Sequence, residues 1–318
     1  MYLIPYSVVQ IFNAINIFIQ YPSVIINILI IYISFRKVNS SLPRTYCLNI
    51  SIPSLLCSLH QIARDITERT VFKDHEETSD PTYTKIVKVL DTMLPQSTLN
   101  LYLFQTTLTV VLAYIGFSKP FLYKRLTKTR AISYAFIVSQ ALSWLLAAGS
   151  TVENFSLYPL DDDFDRTALC IHTWARAATQ LTLFAVMGLL YLLTIVRLTM
   201  YACRTQIYSS GQQSRWLILR SVLIYCTPPN VFIAVGVAGS YCSAVILTLI
   251  PVDRMFFVST CTPVKHVAEQ LITPRLFVTS LSALFAFADY RKAITSMFSE
   301  IVRRKKKLFF VTARTVSS

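Results

Sequence analysis

Long runs of residues without a charged side chain dominate the chain. The uncharged stretches are 1–35, 45–63, 92–118, 131–152, 177–196, 221–252 and 276–288. A helix needs about 20 apolar residues to cross the hydrocarbon core of a bilayer, and six stretches reach that length or come within a residue of it. The seventh is long enough only if it begins near Val267. Glu269 and Arg275 then lie in its outer turns, where they reach towards water or face the bundle interior.

The pattern therefore predicts an all-α membrane protein, a seven-helix transmembrane bundle over 1–290 with a short cytoplasmic eighth helix and a basic cytoplasmic tail over 291–318. The predicted spans lie at about 8–34, 45–63, 92–117, 131–150, 174–197, 216–240 and 266–288. Composition agrees with this class, because 54% of the residues are hydrophobic and only 14% are charged. Soluble domains carry closer to a quarter of charged residues.

The charged loops predict the orientation of the bundle. The loops after spans one, three and five, together with the tail, are rich in Lys and Arg and contain only two acids, Asp289 and Glu300. The alternate loops, 64–91 and 153–166, are acidic on balance. Basic loops face the cytosol, so we expect the N-terminus outside and the C-terminus inside. This topology explains the net charge of +14 without a nucleic-acid partner. We expect the basic run 303–307 to contact anionic membrane lipids.

Residues 221–252 are long enough to suggest two spans instead of one. An eighth span would place the basic run 303–307 outside, against the charge rule. The pattern therefore predicts one helix over about 216–240, kinked at Pro228 and Pro229, and an apolar outer loop after it. A membrane-skimming segment over 241–262 is the alternative.

Two features of the outer loops suggest covalent chemistry. Asn154 begins an Asn-Phe-Ser glycosylation sequence in the second outer loop. Cys170 and Cys261 also fall in predicted outer loops, so a Cys170–Cys261 disulfide, or Cys170 with Cys242, is a candidate. Unpaired thiols are an equal alternative, because spacing does not give connectivity. The seven cysteines and four histidines show no metal-ligand spacing, so we expect no metal site.

The sequence shows no signature of an enzyme. It has no glycine-rich phosphate loop, no GxSxG, no HExxH and no acid pair within a span, so we expect neither catalysis nor a cofactor. What remains is a set of polar residues in the outer halves of the spans. They are His60, Gln61, Asn100, Tyr102, Gln105, Trp174, Gln180, Glu269 and Gln270. A mostly apolar cavity with a few convergent polar groups is typical of a small-molecule site, although such groups also pair with one another between helices.

Several local motifs resemble those of a known family. Span one contains IINILIIY with Asn27, span two contains LNISIPSLL (48–56), span four contains Trp144, span six contains CTPP (226–229), and ADYRKAI (288–294) follows span seven. These motifs resemble the G-protein-coupled receptors, and among them the nematode chemosensory serpentine receptors. The mammalian bitter-taste-like receptors are the second choice. The sequence also departs from the family, because Leu112-Ala113-Tyr114 stands where Asp-Arg-Tyr is usual and span seven has no NPxxY.

The resemblance implies a chemosensory receptor in the plasma membrane of sensory neurons, at their cilia. A small odorant or pheromone would bind in the outer half of the bundle, and span six would swing at Pro228 and Pro229. A cytosolic heterotrimeric G protein would then contact a surface that includes Tyr114, Lys119, Pro120, Lys124, Arg125 and Arg204. The alternatives are a non-signalling seven-helix scaffold or trafficking protein and a small-molecule transporter.

Overall fold

The computed structural model describes residues 6–39, 41–70, 81–128, 130–155, 163–204, 210–248, 254–297 and 299–300, which are helical almost throughout and contain no strand. The helices are α1 (Tyr6–Arg36), α2 (Leu42–Thr70), α3 (Pro81–Ser118), α4 (Pro120–Lys128), α5 (Ala131–Phe155), α6 (Asp163–Arg204), α7 (Ser210–Thr248), α8 (Arg254–Gln270) and α9 (Ile272–Ala286). A tenth helical segment, α10, follows over 288–297. The basic run 303–307 lies outside the described residues.

Five helices in the described part of the chain are long and apolar enough to cross a membrane, namely α1, α3, α5, α6 and α7. This confirms the predicted all-α, multi-pass membrane class. The other two predicted spans are helical but fall short by length or composition. The second half of α2 carries Arg64 and Asp65, and α9 has only 15 residues. The count of seven spans and their orientation stay predictions.

Helix ends differ most from the sequence prediction on the side where the outer loops were expected. Helix α3 begins at Pro81 and α6 at Asp163, each about ten residues before the predicted span. Helix α7 continues to Thr248 and α8 begins at Arg254, so most of the predicted loop 241–262 is helical. Hydropathy detects only the apolar part of a helix, whereas backbone hydrogen bonding continues into polar residues of adequate helix propensity.

Helix α3 occupies the centre of the bundle. It packs against α2, α4, α5, α6 and α7. More than half of its most apolar stretch is buried (56%), compared with 17% in α6 and 22% in α1 and α5. The outer helices expose large apolar side chains such as Phe18, Leu145 and Ile171, as expected for surfaces that face lipid.

Small polar side chains join α1 to α2 and α9. Ser23 Oγ lies 3.1 Å from Ser58 Oγ on α2, and Ser280 Oγ on α9 donates to Asn27 Oδ1 at 2.8 Å. At the other end of α1, Ser34 Oγ lies 2.6 Å from the hydroxyl of Tyr290 on α10. Such contacts are favoured between membrane helices because lipid offers polar groups no alternative partner.

A proline separates α8 from α9. Pro274 has no N–H, so it cannot donate to the carbonyl of Gln270 four residues earlier, and the helix breaks at Leu271. Asn16 Nδ2 on α1 donates to that carbonyl at 3.0 Å instead. The backbone acceptor released by the proline is therefore satisfied by a neighbouring helix, as a membrane interior requires.

Helices α7 and α8 approach each other closely at Gly239. A methyl group on Gly239 would lie 2.7 Å from Cβ of Ala268, which is too close for two carbon atoms. A small residue on each side allows the two backbones to pack tightly. Gly188 on α6 is different, because a methyl group there would contact nothing within 4 Å.

We predict that Gly239→Val lowers the melting temperature of the purified protein by roughly 5 °C or more, since the two helices must separate to admit the side chain. Gly188→Val is the matched control and should change it little. Thermal unfolding followed by size-exclusion chromatography in detergent measures both. Equal melting temperatures for the two variants would contradict the close α7–α8 contact.

Candidate ligand site

The centre of the bundle contains amide side chains from α3, α5 and α6. Gln180 Nε2 donates to Asn100 Oδ1 at 2.6 Å, which joins α6 to α3. Gln105 Nε2 makes a longer contact, 3.5 Å, with Gln140 Oε1 on α5. Asn100, Gln105 and Gln180 are each at most 1% exposed. Two residues that the sequence predicts for the ligand site, Asn100 and Gln180, are therefore in direct contact, whereas the third, Gln105, contacts Gln140.

These amides are only partly satisfied. Asn100 Nδ2, Gln105 Oε1 and Gln180 Oε1 have no hydrogen-bond partner, and neither does Gln96 Oε1 one turn before Asn100. Each unmet buried group costs about 1–3 kcal/mol relative to hydration. The set offers one donor and three acceptors within an apolar surrounding that includes Leu99 and Leu103. A few polar groups among apolar side chains are one feature of small-molecule sites.

A second polar group joins α2 to α3. His60 Nε2 lies 2.9 Å from Asp91 Oδ1, and Arg64 Nη1 lies 3.2 Å from Asp91 Oδ2. Both carboxylate oxygens are therefore engaged, and His60 takes part in an ion pair when it is protonated. Gln61 Oε1 accepts from Thr273 Oγ1 on α9 at 3.2 Å. The predicted site residues His60 and Gln61 thus connect helices.

The remaining predicted ligand residues lie in three different environments. Tyr102 is buried, and its hydroxyl donates to Asn230 Oδ1 on α7 at 3.4 Å. Gln270 Oε1 accepts from Asn16 at 3.2 Å. Trp174 is 37% exposed and packs edge-on against Tyr241, and the side chain of Glu269 is exposed. Of these residues, only Tyr102 is fully buried.

Arg275 lies in the interior of the bundle. The sequence allowed two positions for it, one reaching towards water and one facing the interior. Arg275 on α9 is 6% exposed, and its Nη2 donates to the Pro95 carbonyl and to Thr98 Oγ1, both at 3.0 Å. No carboxylate of the described residues lies within ion-pair distance of it. The sequence predicts Arg275 within a span but not among the site residues. The sequence signal for its burial is that no Asp or Glu lies three or four residues from Arg275 on the helix, so the charge has no partner there.

The predicted G-protein-facing residues lie at the junction of α3 and α4. The helix is interrupted at Lys119, because a residue before proline disfavours helical backbone, and Pro120 begins α4. Lys119, Pro120, Lys124 and Arg125 are exposed. Tyr114 is half-buried, with the guanidinium of Arg197 lying 5.4 Å from its ring centre. Arg204 ends α6, and its side chain lies outside the described part.

The two prolines predicted to kink span six lie inside α7. Pro228 is exposed and Pro229 is buried. Two consecutive missing N–H donors leave the carbonyls four residues earlier without helix hydrogen bonds, which weakens the helix there. Next to the pair, Tyr191 on α6 has its hydroxyl 2.5 Å from Thr227 Oγ1.

The predicted Cys170 disulfide is not present. Cys170, Cys242 and Cys261 are all free thiols. Cys261 on α8 packs instead against Cys242 and Val245 on α7, whereas Cys170 on α6 borders a shallow cleft with Leu247 and Thr248. The helical extension of α7 and α8 directs Cys261 towards α7, and the sequence alone gave no sign of that extension. Asn154 lies in the last turn of α5, and the third residue of its glycosylation sequence is outside the described part.

The chain matches no protein-family model and no curated protein.

We predict that Asp91→Asn lowers the melting temperature by roughly 2–5 °C, because it removes the partner of both His60 and Arg64 in a half-buried setting. Asp65→Asn on α2 removes the same charge from a residue outside this group and should have little effect. Circular dichroism during heating measures both. If the two variants have the same melting temperature, the contacts of Asp91 with His60 and Arg64 do not stabilise the bundle.

Proposed function

We propose that this protein is a chemosensory receptor of the G-protein-coupled type, which binds a small molecule in the outer half of its helix bundle and signals to a cytosolic heterotrimeric G protein. The observation that carries the proposal is a set of buried amides in the bundle interior, the Asn100–Gln180 pair and the Gln105–Gln140 contact, with unmet hydrogen-bonding atoms on Asn100, Gln105 and Gln180. The family resemblance of the sequence motifs supports the choice of receptor type.

The chemistry of these amides indicates the ligand. A ligand with a hydroxyl or carbonyl group satisfies the free Asn100 Nδ2 or the free Gln180 Oε1, while its hydrocarbon part contacts the leucines nearby. The amides join α3 to α6 and to α5, so occupation changes the contacts between these helices. A ligand that fits one arrangement of the helices better than another shifts the population towards it.

Two further features support signalling. Helix α7 contains the proline pair 228–229, a weak point in a helix that packs on α3, α6 and α9. The α3–α4 junction exposes Lys119, Lys124 and Arg125, a basic surface suited to an acidic partner segment. We place this surface in the cytosol and the receptor in the plasma membrane of sensory cilia, on the charge pattern and the resemblance.

The transporter and the non-signalling scaffold make different predictions from the receptor. A transporter carries its ligand across liposomes without a G protein, and a scaffold shows no ligand-evoked signal in cells. The buried Arg275 is a charge of the kind that transporters use. However, it pairs with no second titratable group among the described residues, which a proton or ion relay requires. The receptor is therefore favoured over the transporter.

The function is tested in cells that express the chain with a promiscuous Gα and a calcium reporter, against a panel of small odorants. We expect at least one odorant to evoke a signal. Asn100→Leu should weaken that response about tenfold, equivalent to one lost hydrogen bond of about 1.4 kcal/mol. Asn13→Leu, an exposed amide on α1, is the control. Surface labelling verifies equal expression, and silence across the panel would favour the scaffold.

Orientation is tested separately through the sequon at Asn154. If the N-terminus is outside, glycosidase treatment should shift the mobility of the wild-type chain, and Asn154→Gln should abolish that shift. Asn39→Gln removes a second sequon from a predicted cytosolic loop, so the shift should persist. A shift that depends on Asn39 and not on Asn154 would reverse the predicted topology.

A further inference from the structure

Two cysteines on neighbouring helices face each other in the bundle. Cys242 on α7 and Cys261 on α8 are buried and pack together with Val245. Their thiols share a side-chain hydrogen bond, so the two sulfur atoms are in direct contact. Both are free thiols in the structure. The reduced pair is therefore already arranged as the two partners of a disulfide.

The backbones of α7 and α8 also come close enough for such a bond. A methyl group on Gly239 would lie 3.8 Å from Cα of Lys265. Adding one carbon–carbon bond of about 1.5 Å puts the two Cα atoms within about 5.3 Å of each other. Disulfides join Cα atoms that are about 4.4–6.8 Å apart. The separation of the two helices at this contact therefore falls within the range that a disulfide spans.

The cysteines lie about one helical turn from that contact. Cys242 is three residues after Gly239, and Cys261 is four residues before Lys265. Residues three or four apart lie on the same face of a helix. Contacts move forward along α7 as they move backward along α8, so the two helices run antiparallel. One turn forward on α7 therefore meets one turn backward on α8, which brings the two cysteines together.

Cys170 on α6 is a less suitable partner for either thiol. It borders the cleft beside Leu247 and Thr248, which lie more than one helical turn beyond Cys242 on α7. The packing neighbour of Cys261 is Cys242. The pairing that the structure favours thus differs from both pairings that the sequence suggests for Cys170.

We propose that Cys242 and Cys261 form a disulfide in the mature chain, which fastens α8 to the outer end of α7. The predicted orientation places this end of α7 on the outer side of the membrane, where disulfides form and persist. The proposal uses that orientation and does not depend on the receptor function.

The oxidant is a disulfide of the secretory lumen, R–S–S–R. One cysteine attacks it and releases the first R–SH, which leaves a mixed disulfide on the chain. The other cysteine attacks the mixed disulfide and releases the second R–SH. Two electrons and both thiol protons thus pass from the cysteine pair to R–S–S–R. Buried thiols do not meet an oxidant, so the bond forms while α7 and α8 assemble.

The first test counts the cysteines that reduction releases. Cells that express the full chain are denatured directly in N-ethylmaleimide, which blocks every free thiol, buried ones included. The chain is then reduced and labelled with maleimide-polyethylene glycol, so that each released cysteine slows the gel band by one step. We expect two labels, which Cys242→Ser and Cys261→Ser should each remove. Cys170→Ser is the matched control and should keep both.

Two results of this test would overturn the proposal. One is a wild-type chain that takes up no label, and the other is a pair of labels that persists in Cys261→Ser or disappears in Cys170→Ser.

The second test needs no variant, so it does not depend on how a serine variant folds. Trypsin cuts after Arg220, Arg254 and Lys265, and the proposed bond therefore joins the peptides 221–254 and 255–265. An unreduced digest of the wild-type chain from the cell surface should contain the joined mass. Fragment ions should assign the bond to Cys242 and not to Cys226. Recovery of 255–265 only as an alkylated free peptide would contradict the disulfide.

The effect of the bond on the fold is measured separately. The disulfide closes the stretch 243–260 into a loop, which restricts the unfolded chain. Dithiothreitol should therefore lower the melting temperature of the purified wild-type protein by roughly 5 °C. It should leave the melting temperature of Cys261→Ala unchanged. Equal responses of the two proteins to the reductant would mean that no bond holds α8 to α7.

These outcomes are independent of the receptor function. A disulfide-linked chain without any ligand-evoked signal would keep the bond and remove the receptor function. An odorant response from a chain whose Cys242 and Cys261 are both free would keep the receptor function and overturn the disulfide.

Discussion

Polar groups inside this bundle must find their partners within the bundle, because the surrounding lipid offers none. This constraint accounts for how α1 and α9 are attached to their neighbours. The carbonyl released by Pro274 is taken by Asn16, and Asn27 bridges Ser23 and Ser280. The arginine that follows the last turn of α9, Arg291, donates to the free carbonyls of Phe285 and Ala286. Apolar packing alone would not fix these helices in register, since lipid is as apolar as a leucine side chain.

The same constraint distinguishes the candidate site from the rest of the interior. Buried polar groups elsewhere in the described bundle are mostly paired between helices or with the preceding turn of their own helix. The side-chain amides among the exceptions are Gln96, Asn100, Gln105 and Gln180 on α3 and α6, and Asn16 on α1. Buried polar groups without a hydrogen-bond partner lower the stability of the fold. Proteins keep such groups mainly where the groups serve a function such as binding.

Much of the fold was predictable from the sequence, because the membrane imposes a length and a polarity that hydropathy detects. The class is confirmed, and the predicted spans are helical where described, except that the span predicted at 266–288 is interrupted at Leu271 and Phe287. The helix ends were not predictable: the extensions of α3, α6, α7 and α8 consist of residues with adequate helix propensity but mixed polarity.

The candidate site was predictable only in part. Asn100, Gln105 and Gln180 are conspicuous amides within apolar runs, so composition alone identified them. Which amide faces which depends on helix rotation and tilt, and a single sequence does not give these. For that reason Glu269 was included although its side chain is exposed, and Arg275 was left out although it lies inside.

The tight contact at Gly239 determines which end of α7 is free to move. Beyond the proline pair, α7 is held against α8 and has no space to slide. Bending at Pro228 and Pro229 therefore displaces the other arm, the part of α7 that begins at Ser210. That arm is about 27 Å long at 1.5 Å per residue, so a bend of about 10° moves its tip by about 5 Å. The helix acts as a lever that pivots at the prolines while the arm beyond them is held against α8, so a small rearrangement beside α3 becomes a large displacement at the far end.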